Sequence, residues 1–187
     1  MSVYAAERVR QIMDCGACCG ETAVWALSNG AGKVYSFEPN PEAFGYLQRN
    51  AEKYGGGRIV PVHRGVGEAP ALVSLRTFGN DLHATQLAPG ASGEESVPVV
   101  TLDGWCRENA VRPGFIKKMD LEGWEMPALQ GARAIIAECR PRLAVCLYHR
   151  LSDMWAIPHL LKEICPSYRF WCRKNPPYAE FVLYAAG

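Results

Sequence analysis

The amino-acid sequence predicts a three-layer α/β fold, in which helices cover both faces of a mostly parallel sheet. Short apolar runs alternate with helical patterns along the chain, which is typical of parallel strands connected by helices. A glycine-containing loop follows the first apolar run, as expected where a strand turns into a helix at a ligand site. The last two apolar runs have no helix between them, so they are expected to pair antiparallel.

Length and composition fit one globular domain. The chain has 187 residues, and a domain commonly spans about 100–200 residues, so we interpret residues 1–187 as a single domain. Hydrophobic residues make up 49% and charged residues 21%, which is the ordinary globular mixture and excludes collagen-like and disordered classes. The net charge of +1, without a run of basic residues, argues against a module that binds nucleic acid by neutralising its phosphates.

The sequence also predicts a cytoplasmic protein without a membrane partner. Residues 1–14 contain Glu7, Arg8 and Arg10, where a signal peptide needs an apolar core. No apolar stretch approaches the ~18 residues of a membrane span. The eight cysteines are too few for a disulfide scaffold and are expected to be free thiols, mostly buried.

The first part of the chain alternates regularly. Apolar runs bounded by turn residues predict strands at residues 9–13, 33–37 and 58–63. Helices are predicted between them, at residues 21–28 and 41–53. Asn29 and Gly30 end the first helix, and the second helix has a proline in its first turn, where a missing N–H costs nothing.

The middle of the chain is less regular. Apolar runs at residues 72–78 and 97–100 are consistent with strands. The polar segment between them contains Asn80, Asp81 and His83, and we interpret it as a loop or flap. Residues 80–85 would then either cover a substrate or form an ordinary surface loop.

Regular alternation returns in the second half. Strands are predicted at residues 115–119, 143–147, 168–172 and 181–184. Helices are predicted at residues 102–108, 124–138 and 153–164, and Pro127 must lie in the first turn of the second of these.

The loop from Asp14 to Glu21, DCGACCGE, is the most informative local pattern. A dinucleotide fingerprint starting at Gly16 would need glycine where Cys18 and Glu21 stand, which argues against a nicotinamide oxidoreductase. A phosphate-binding Walker loop would need a lysine at Glu21.

Acidic groups at both ends of this loop suit a ligand that carries positive charge and hydroxyl groups. S-adenosylmethionine has a sulfonium, an ammonium and a ribose diol, and it has no phosphate. Glu38 follows the second strand, where its carboxylate can accept hydrogen bonds from the ribose hydroxyls. The alternative is a glycine-rich turn with a helix-capping acid and no ligand.

Five motifs follow one another along the chain. They are Asp14-x-Gly16-Ala17-x-x-Gly20-Glu21, Phe37-Glu38-Pro39-Asn40-Pro41, Val100-Thr101-Leu102-Asp103, Lys118-Met119-Asp120-Leu121-Glu122-Gly123 and Leu147-Tyr148-His149. In this order they resemble the FkbM family of S-adenosylmethionine-dependent methyltransferases over nearly the whole chain. The resemblance implies the seven-stranded class I methyltransferase (Rossmann-like) fold with an antiparallel C-terminal strand. It also implies O-methylation of a hydroxyl on a small molecule or glycan.

The loop and the second motif together give the expected cofactor-binding residues. These are Asp14, Gly16, Ala17, Gly20, Glu21, Glu38, Pro39 and Asn40.

Two positions differ from the family pattern. The family usually has Asn where this chain has Cys18, and the strand at 115–119 has one lysine more than the family pattern, at Lys117-Lys118. The additional residue either forms a β-bulge or shifts the start of the strand. A shift by one residue would move Lys117 to the other face of the sheet.

Asp120, Glu122 and His149 are the candidate catalytic residues, with Lys118 beside them. All of them lie at or just after the carboxyl end of a predicted core strand, at the edge where the loop places the cofactor. Asp120 and Glu122 would point to the same side in an extended segment, toward cofactor or acceptor, or they cap the next helix. His149 can accept a proton near neutral pH or is a histidine without a catalytic function.

Lys118 either pairs with an acid, orients the acceptor or reaches solvent. No metal site is expected, because the C-x-x-C pair Cys15 and Cys18 lacks the second pair that a zinc site needs. The principal hypothesis is a methyltransferase. The alternative is a non-catalytic domain of the same fold that binds a nucleoside-type ligand or a protein partner.

Overall fold

A seven-stranded sheet with helices on both faces forms the centre of the computed structural model, which describes residues 10–77, 85–88, 96–175 and 180–187. The strands in chain order are β1 (Gln11–Cys15), β2 (Lys33–Phe37), β3 (Ile59–Val62), β4 (Gly65–Val66), β5 (Ala71–Thr77), β6 (Thr85–Ala88), β7 (Ser96–Val100), β8 (Phe115–Met119), β9 (Arg142–Cys146), β10 (Arg169–Asn175) and β11 (Glu180–Ala186). The helices are α1 (Glu21–Ser28), α2 (Pro41–Tyr54), α3 (Leu102–Glu108), α4 (Glu125–Gln130), α5 (Arg133–Cys139) and α6 (Asp153–Ile164).

The order of the central sheet is β10-β11-β9-β8-β1-β2-β3. Strands β1, β2, β3, β8 and β9 are parallel, whereas β11 runs antiparallel to both of its neighbours. The predicted fold class and the antiparallel C-terminal strand are therefore confirmed. The strand order reverses between β1 and β8, so a ligand crevice is expected at the carboxyl ends of these two strands.

Two apolar clusters cover opposite faces of this sheet. Neighbouring residues of one strand, such as Ile12 and Met13, belong to different clusters, as do Leu143 and Ala144. This alternation is what a strand buried on both faces produces. None of the helices in the described part of the chain has the length and apolar character that crossing a bilayer requires.

A smaller four-stranded sheet, β4-β7-β5-β6, lies outside the predicted architecture. Its strands β5 and β7 were expected from their apolar runs, but Thr85–Ala88 was interpreted as part of a loop. That interpretation is wrong, because these residues pair antiparallel with residues 74–77 of β5. The proposed flap at residues 80–85 falls outside the described residues except for Thr85.

The single helix predicted at residues 124–138 is divided into α4 and α5. Gly131 lies between them, and a Cβ atom there would be 1.9 Å from the carbonyl oxygen of Gly67. Asp103 then starts the second helix, because its carboxylate accepts hydrogen bonds from the N–H groups of Ala134 and Ile135 at 2.9 and 2.8 Å. The prediction of one continuous helix is therefore wrong, because contacts from distant segments divide it into two helices.

The additional lysine forms a bulge in β8. Ile116 pairs with Leu143 of β9 and Met119 with Val145, so β8 has one residue more than β9 between these pairs. Lys117 is buried, and its Nζ donates a hydrogen bond to the carbonyl of Thr22 at 3.1 Å. The bulge therefore leaves the end of β8, and the residues that follow it, in place beside β1.

Candidate active site

The loop after β1 is tied to the end of β2 by its own backbone. The N–H groups of Gly16 and Ala17 both donate to the carbonyl of Phe37, at 3.0 and 2.9 Å. Gly16 has φ +80°, and a Cβ atom there would be 2.3 Å from the carbonyl oxygen of Asp120. Only glycine allows the loop to approach the end of β8 this closely.

Gly20 has a similar requirement at the other end of the loop. Its φ is +82°, and a Cβ atom there would be 2.5 Å from Cδ1 of Leu47 in α2. Glu21 follows as the exposed first residue of α1. The loop is therefore closely packed against α2 and β8, and Ala17 within it is buried.

Glu38 lies at the carboxyl end of β2 and is 6% exposed. One of its carboxylate oxygens accepts a hydrogen bond from the Cys18 N–H at 2.7 Å, and the other accepts one from the Asn40 N–H at 2.8 Å. Each oxygen retains a further lone pair for a ligand. Burial raises the pKa of Glu38 to about 7, although both hydrogen bonds lower it.

Cys18 has φ +46° and contacts Glu38 through its backbone N–H. The replacement of the family's usual Asn by Cys18 therefore leaves this contact intact, since any residue other than proline can make it.

The remaining predicted cofactor residues have structural contacts in this region. The side chain of Asn40 caps α2 by accepting hydrogen bonds from the N–H groups of Glu42 and Ala43. The carbonyl oxygen of Pro39 lies 3.1 Å from Nε2 of His63, and Asp14 is buried within β1. Direct cofactor contacts of these residues stay a prediction.

Asp120, Glu122 and His149 lie together at the carboxyl ends of β8 and β9. Nε2 of His149 is 3.4 Å from Oδ1 of Asp120 and 3.5 Å from Oε1 of Glu122. The hydroxyl of Tyr148 donates to the same oxygen of Asp120 at 2.7 Å. The structure thus brings three of the four predicted catalytic residues together, whereas the Lys118 side chain lies outside what the structure describes.

Glu125 completes this cluster and was not predicted. It is fully buried in the first turn of α4, and its Oε1 accepts a hydrogen bond from the Leu121 N–H at 2.8 Å. The same oxygen lies 2.8 Å from Nδ1 of His149. Neither Asp120 nor Glu122 caps the helix, because the N-cap residue of α4 is Trp124, without a side-chain cap.

Burial and charge interactions together shift the pKa values of the residues in this cluster. Burial alone would lower the pKa of His149, but the hydrogen bond and charge of Glu125, with the other two carboxylates, outweigh burial and raise it. Burial also raises the pKa of Glu122, against the opposing effect of His149. The pKa of the Tyr148 hydroxyl is raised by burial and by its hydrogen bond to Asp120. The imidazole therefore holds a proton more tightly than a free histidine.

Comparisons with known proteins agree with this architecture. The family model described as "Methyltransferase FkbM domain" matches residues 14–172. The hexuronic acid methyltransferase AglP of Haloferax volcanii is 24% identical over 98 residues, which are 52% of this chain and 40% of that protein. The crystal structure of methyltransferase FkbM from Methylobacillus flagellatus is similar with a TM-score of 0.73 and 26% identity, over 95% of this chain and 44% of that one. The chain thus spans less than half the length of these two proteins.

A second structure, of a Streptococcus mutans protein in complex with S-adenosylhomocysteine, has a TM-score of 0.55 and 13% identity. The match covers 96% of this chain and 89% of that one. At this identity the likeness concerns the fold alone.

Proposed function

The chain belongs to the FkbM methyltransferase family, and we propose that it transfers a methyl group from S-adenosylmethionine to an oxygen atom of a small molecule or glycan. The buried carboxylate of Glu38 carries this proposal. It lies at the carboxyl end of β2 and is joined by a hydrogen bond to the glycine loop after β1. A relative that methylates a hexuronic acid favours a sugar as the acceptor.

The residues of the loop suit S-adenosylmethionine, which supplies an activated methyl group when bound. Glu38 would accept hydrogen bonds from the ribose hydroxyls through its remaining lone pairs. Gly16, Ala17 and Gly20 would let the ligand approach the backbone, since they carry little or no side chain. Asp14 and Glu21 would favour its positive charges, and Pro39 and Asn40 would support Glu38 from the start of α2.

The cluster at the ends of β8 and β9 would act on the acceptor. Nε2 of His149 would take the proton of the acceptor hydroxyl, and Asp120 and Glu122 would stabilise the resulting imidazolium. Both carboxylates lie within 3.5 Å of that nitrogen. Lys118 would orient the acceptor or pair with one of the acids. A cytoplasmic location and the absence of a nucleic-acid partner stay predictions from the sequence.

Calorimetric titration with S-adenosylmethionine and S-adenosylhomocysteine tests the proposal, with NAD as a negative control. Hydrogen bonds to a charged group contribute roughly 1.5–3 kcal/mol each. We therefore expect Glu38→Ala to weaken binding of both ligands at least about tenfold, whereas Glu52→Ala, an exposed glutamate of α2, should leave binding unchanged.

Three outcomes would contradict parts of this proposal. If the wild-type protein binds NAD and does not bind S-adenosylmethionine, the proposed cofactor is rejected. Equal affinities of Glu38→Ala and wild type would reject the function of Glu38. Binding of S-adenosylmethionine without methylation of any sugar or hydroxylated metabolite would favour the non-catalytic domain.

A further inference from the structure

We propose that Asp120, Glu122 and His149 form a binding site for a divalent cation, with one imidazole nitrogen and two carboxylate oxygens as ligands. One potential ligand atom from each residue lies within 4.8 Å of the other two. This inference depends on the proposed function in one respect, namely that the methyl acceptor binds near this site.

The distances around His149 fit an ion better than a direct hydrogen bond. Nε2 is 3.4 Å from Asp120 and 3.5 Å from Glu122, whereas N–H···O hydrogen bonds are usually about 2.7–3.2 Å long. Two ligand atoms that each lie about 2.1 Å from one ion, at a tetrahedral angle, are about 3.4 Å apart. The nitrogen and either oxygen therefore have the separation of two ligands on one ion.

The buried Nε2 atom supplies an independent observation. The His149 side chain is only 10% exposed, and its Nε2 atom is shielded from solvent and makes no hydrogen bond. A polar atom buried in this way normally has a partner. Its position, within 3.5 Å of two carboxylate oxygens, indicates that a positively charged group belongs there.

Glu125 prepares this nitrogen for an ion. With Nδ1 donating its hydrogen to the fully buried carboxylate of Glu125, the neutral imidazole keeps its lone pair on Nε2. Metal-bound histidines almost always have such a carboxylate or carbonyl partner on the other ring nitrogen. Tyr148 orients Asp120 in the same way, by donating its hydroxyl hydrogen to Oδ1.

The ligand set favours a first-row divalent ion such as Mn²⁺ or Zn²⁺. Imidazole suits zinc and carboxylates suit manganese, whereas magnesium prefers oxygen ligands alone. Two carboxylates balance the charge of the ion, and three protein ligands leave a position for water or for a hydroxyl of the acceptor.

A bound ion would use the lone pair that a base needs. In the loaded protein the ion would therefore activate the acceptor hydroxyl by lowering its pKa, and the proton would pass to solvent. His149 would then act as a ligand, and as the base only in the ion-free protein.

Titration of EDTA-treated, dialysed protein with Mn²⁺ tests the site, because binding removes the paramagnetic resonance signal of free Mn²⁺. We expect one Mn²⁺ per chain, displaced by Zn²⁺. Loss of a supporting carboxylate typically weakens metal binding 10–100-fold, so we expect that loss for Glu125→Gln and at least as much for Asp120→Asn and Glu122→Gln. Glu108→Gln, at an exposed position of α3, is the matched control.

Circular dichroism of each variant confirms that it is folded before it is compared. The proposal is overturned if the wild type binds no Mn²⁺ or Zn²⁺ even at large excess. It is also overturned if the folded cluster variants bind Mn²⁺ as well as Glu108→Gln does. The calorimetric titration with S-adenosylmethionine requires no metal, so failure of the cation site and failure of the proposed function give different results.

Discussion

The carboxyl group of Glu38 is expected to make stability depend on pH. Its pKa is raised from 4.5 to about 7 by burial, whereas the unfolded chain has the ordinary value. A raised pKa means that the neutral form is favoured in the folded state, so this contribution to stability is complete below about pH 4.5 and is lost as pH rises through about 7. The loss amounts to about 3 kcal/mol.

Glu38→Gln separates this effect from other titrations. The stability of the wild type should fall by about 3 kcal/mol relative to Glu38→Gln between pH 4.5 and pH 8, because glutamine does not titrate. Urea unfolding at several pH values measures the difference. Parallel stability curves for the two proteins would show that Glu38 has an ordinary pKa.

His149 is expected to be required for methylation. Loss of a general base costs on the order of 10²–10⁴ in turnover, and loss of a metal ligand should also be severe. We expect this decrease for His149→Ala with nearly unchanged affinity for S-adenosylmethionine, and no decrease for His159→Ala, which is exposed on α6. Release of S-adenosylhomocysteine during a screen of hydroxylated sugars, hexuronic acids first, measures turnover.

Asp120 should behave differently from His149. The backbone of Asp120 lies beside the glycine loop, because its carbonyl oxygen is the atom that a Cβ atom at Gly16 would strike. Asp120→Ala should therefore reduce both cofactor affinity and turnover.

Full turnover in His149→Ala would mean that alignment alone carries the reaction or that another residue is the base.

The sequence predicted those residues of the candidate site that directly follow a core strand. Asp120, Glu122 and His149 each follow a core strand, and parallel strands end at one edge of a sheet. Glu125 was missed because an acid in the first turn of a helix is ordinary. Its partner His149 is 24 residues further along the chain, and only the folded structure shows that pairing.

At the scale of elements, local signals predicted most boundaries. The helix bounds of α1, α3 and α6 and the strand bounds of β2 and β8 agree with the predicted ones, because capping residues and turn residues flank them. The errors lie where distant segments decide the structure. Asp103 binds the carbonyl of Gly131 and the first N–H groups of α5, where the predicted helix is divided. Residues 85–88 form a strand by pairing with β5.

Gly16→Ala should be more destabilising than the same change at Gly30. Both glycines have positive φ, but a Cβ atom at Gly16 would be 2.3 Å from a backbone oxygen, whereas Gly30 has no atom within 4 Å of that position. Backbone strain alone costs roughly 1–2 kcal/mol, which is the effect expected for Gly30→Ala. We expect roughly 3 kcal/mol or more for Gly16→Ala, with loss of cofactor binding in that variant alone.

Urea unfolding and calorimetry of both variants measure these two effects. Equal destabilisation would mean that the loop moves away from β8 at little cost, and the close approach would then have no importance for the site.

At the scale of the whole molecule, alternation of apolar runs predicted the central sheet and its antiparallel end. It did not predict the small sheet, since β4 has only two residues and its pairing with β7 joins Gly65 to Val99. A strand of two residues is too short to show an alternating pattern, so the apolar run of β7 gave no indication of this partner. The interpretation of residues 1–187 as one domain stays a prediction.

The cysteines report on the packing of the whole molecule. All eight are free thiols. Cys172 is exposed, Cys19 and Cys139 are half-buried, and the other five are buried. Burial also raises the pKa of Cys106 to about 12, so little reactive thiolate forms there at neutral pH.

Thiol titration of the native, unreduced protein should therefore show one fast group, two slow groups and five that react only on unfolding. Cys172→Ser should remove the fast phase alone, because that residue lies on the exposed strand β10. Denatured protein should yield eight thiols without a reducing agent. Fewer than eight would reveal a disulfide. Four of the five buried thiols lie within the apolar clusters on the two faces of the sheet. Rapid reaction of more than three thiols in the native state would therefore mean that these clusters exclude solvent less completely than the structure indicates.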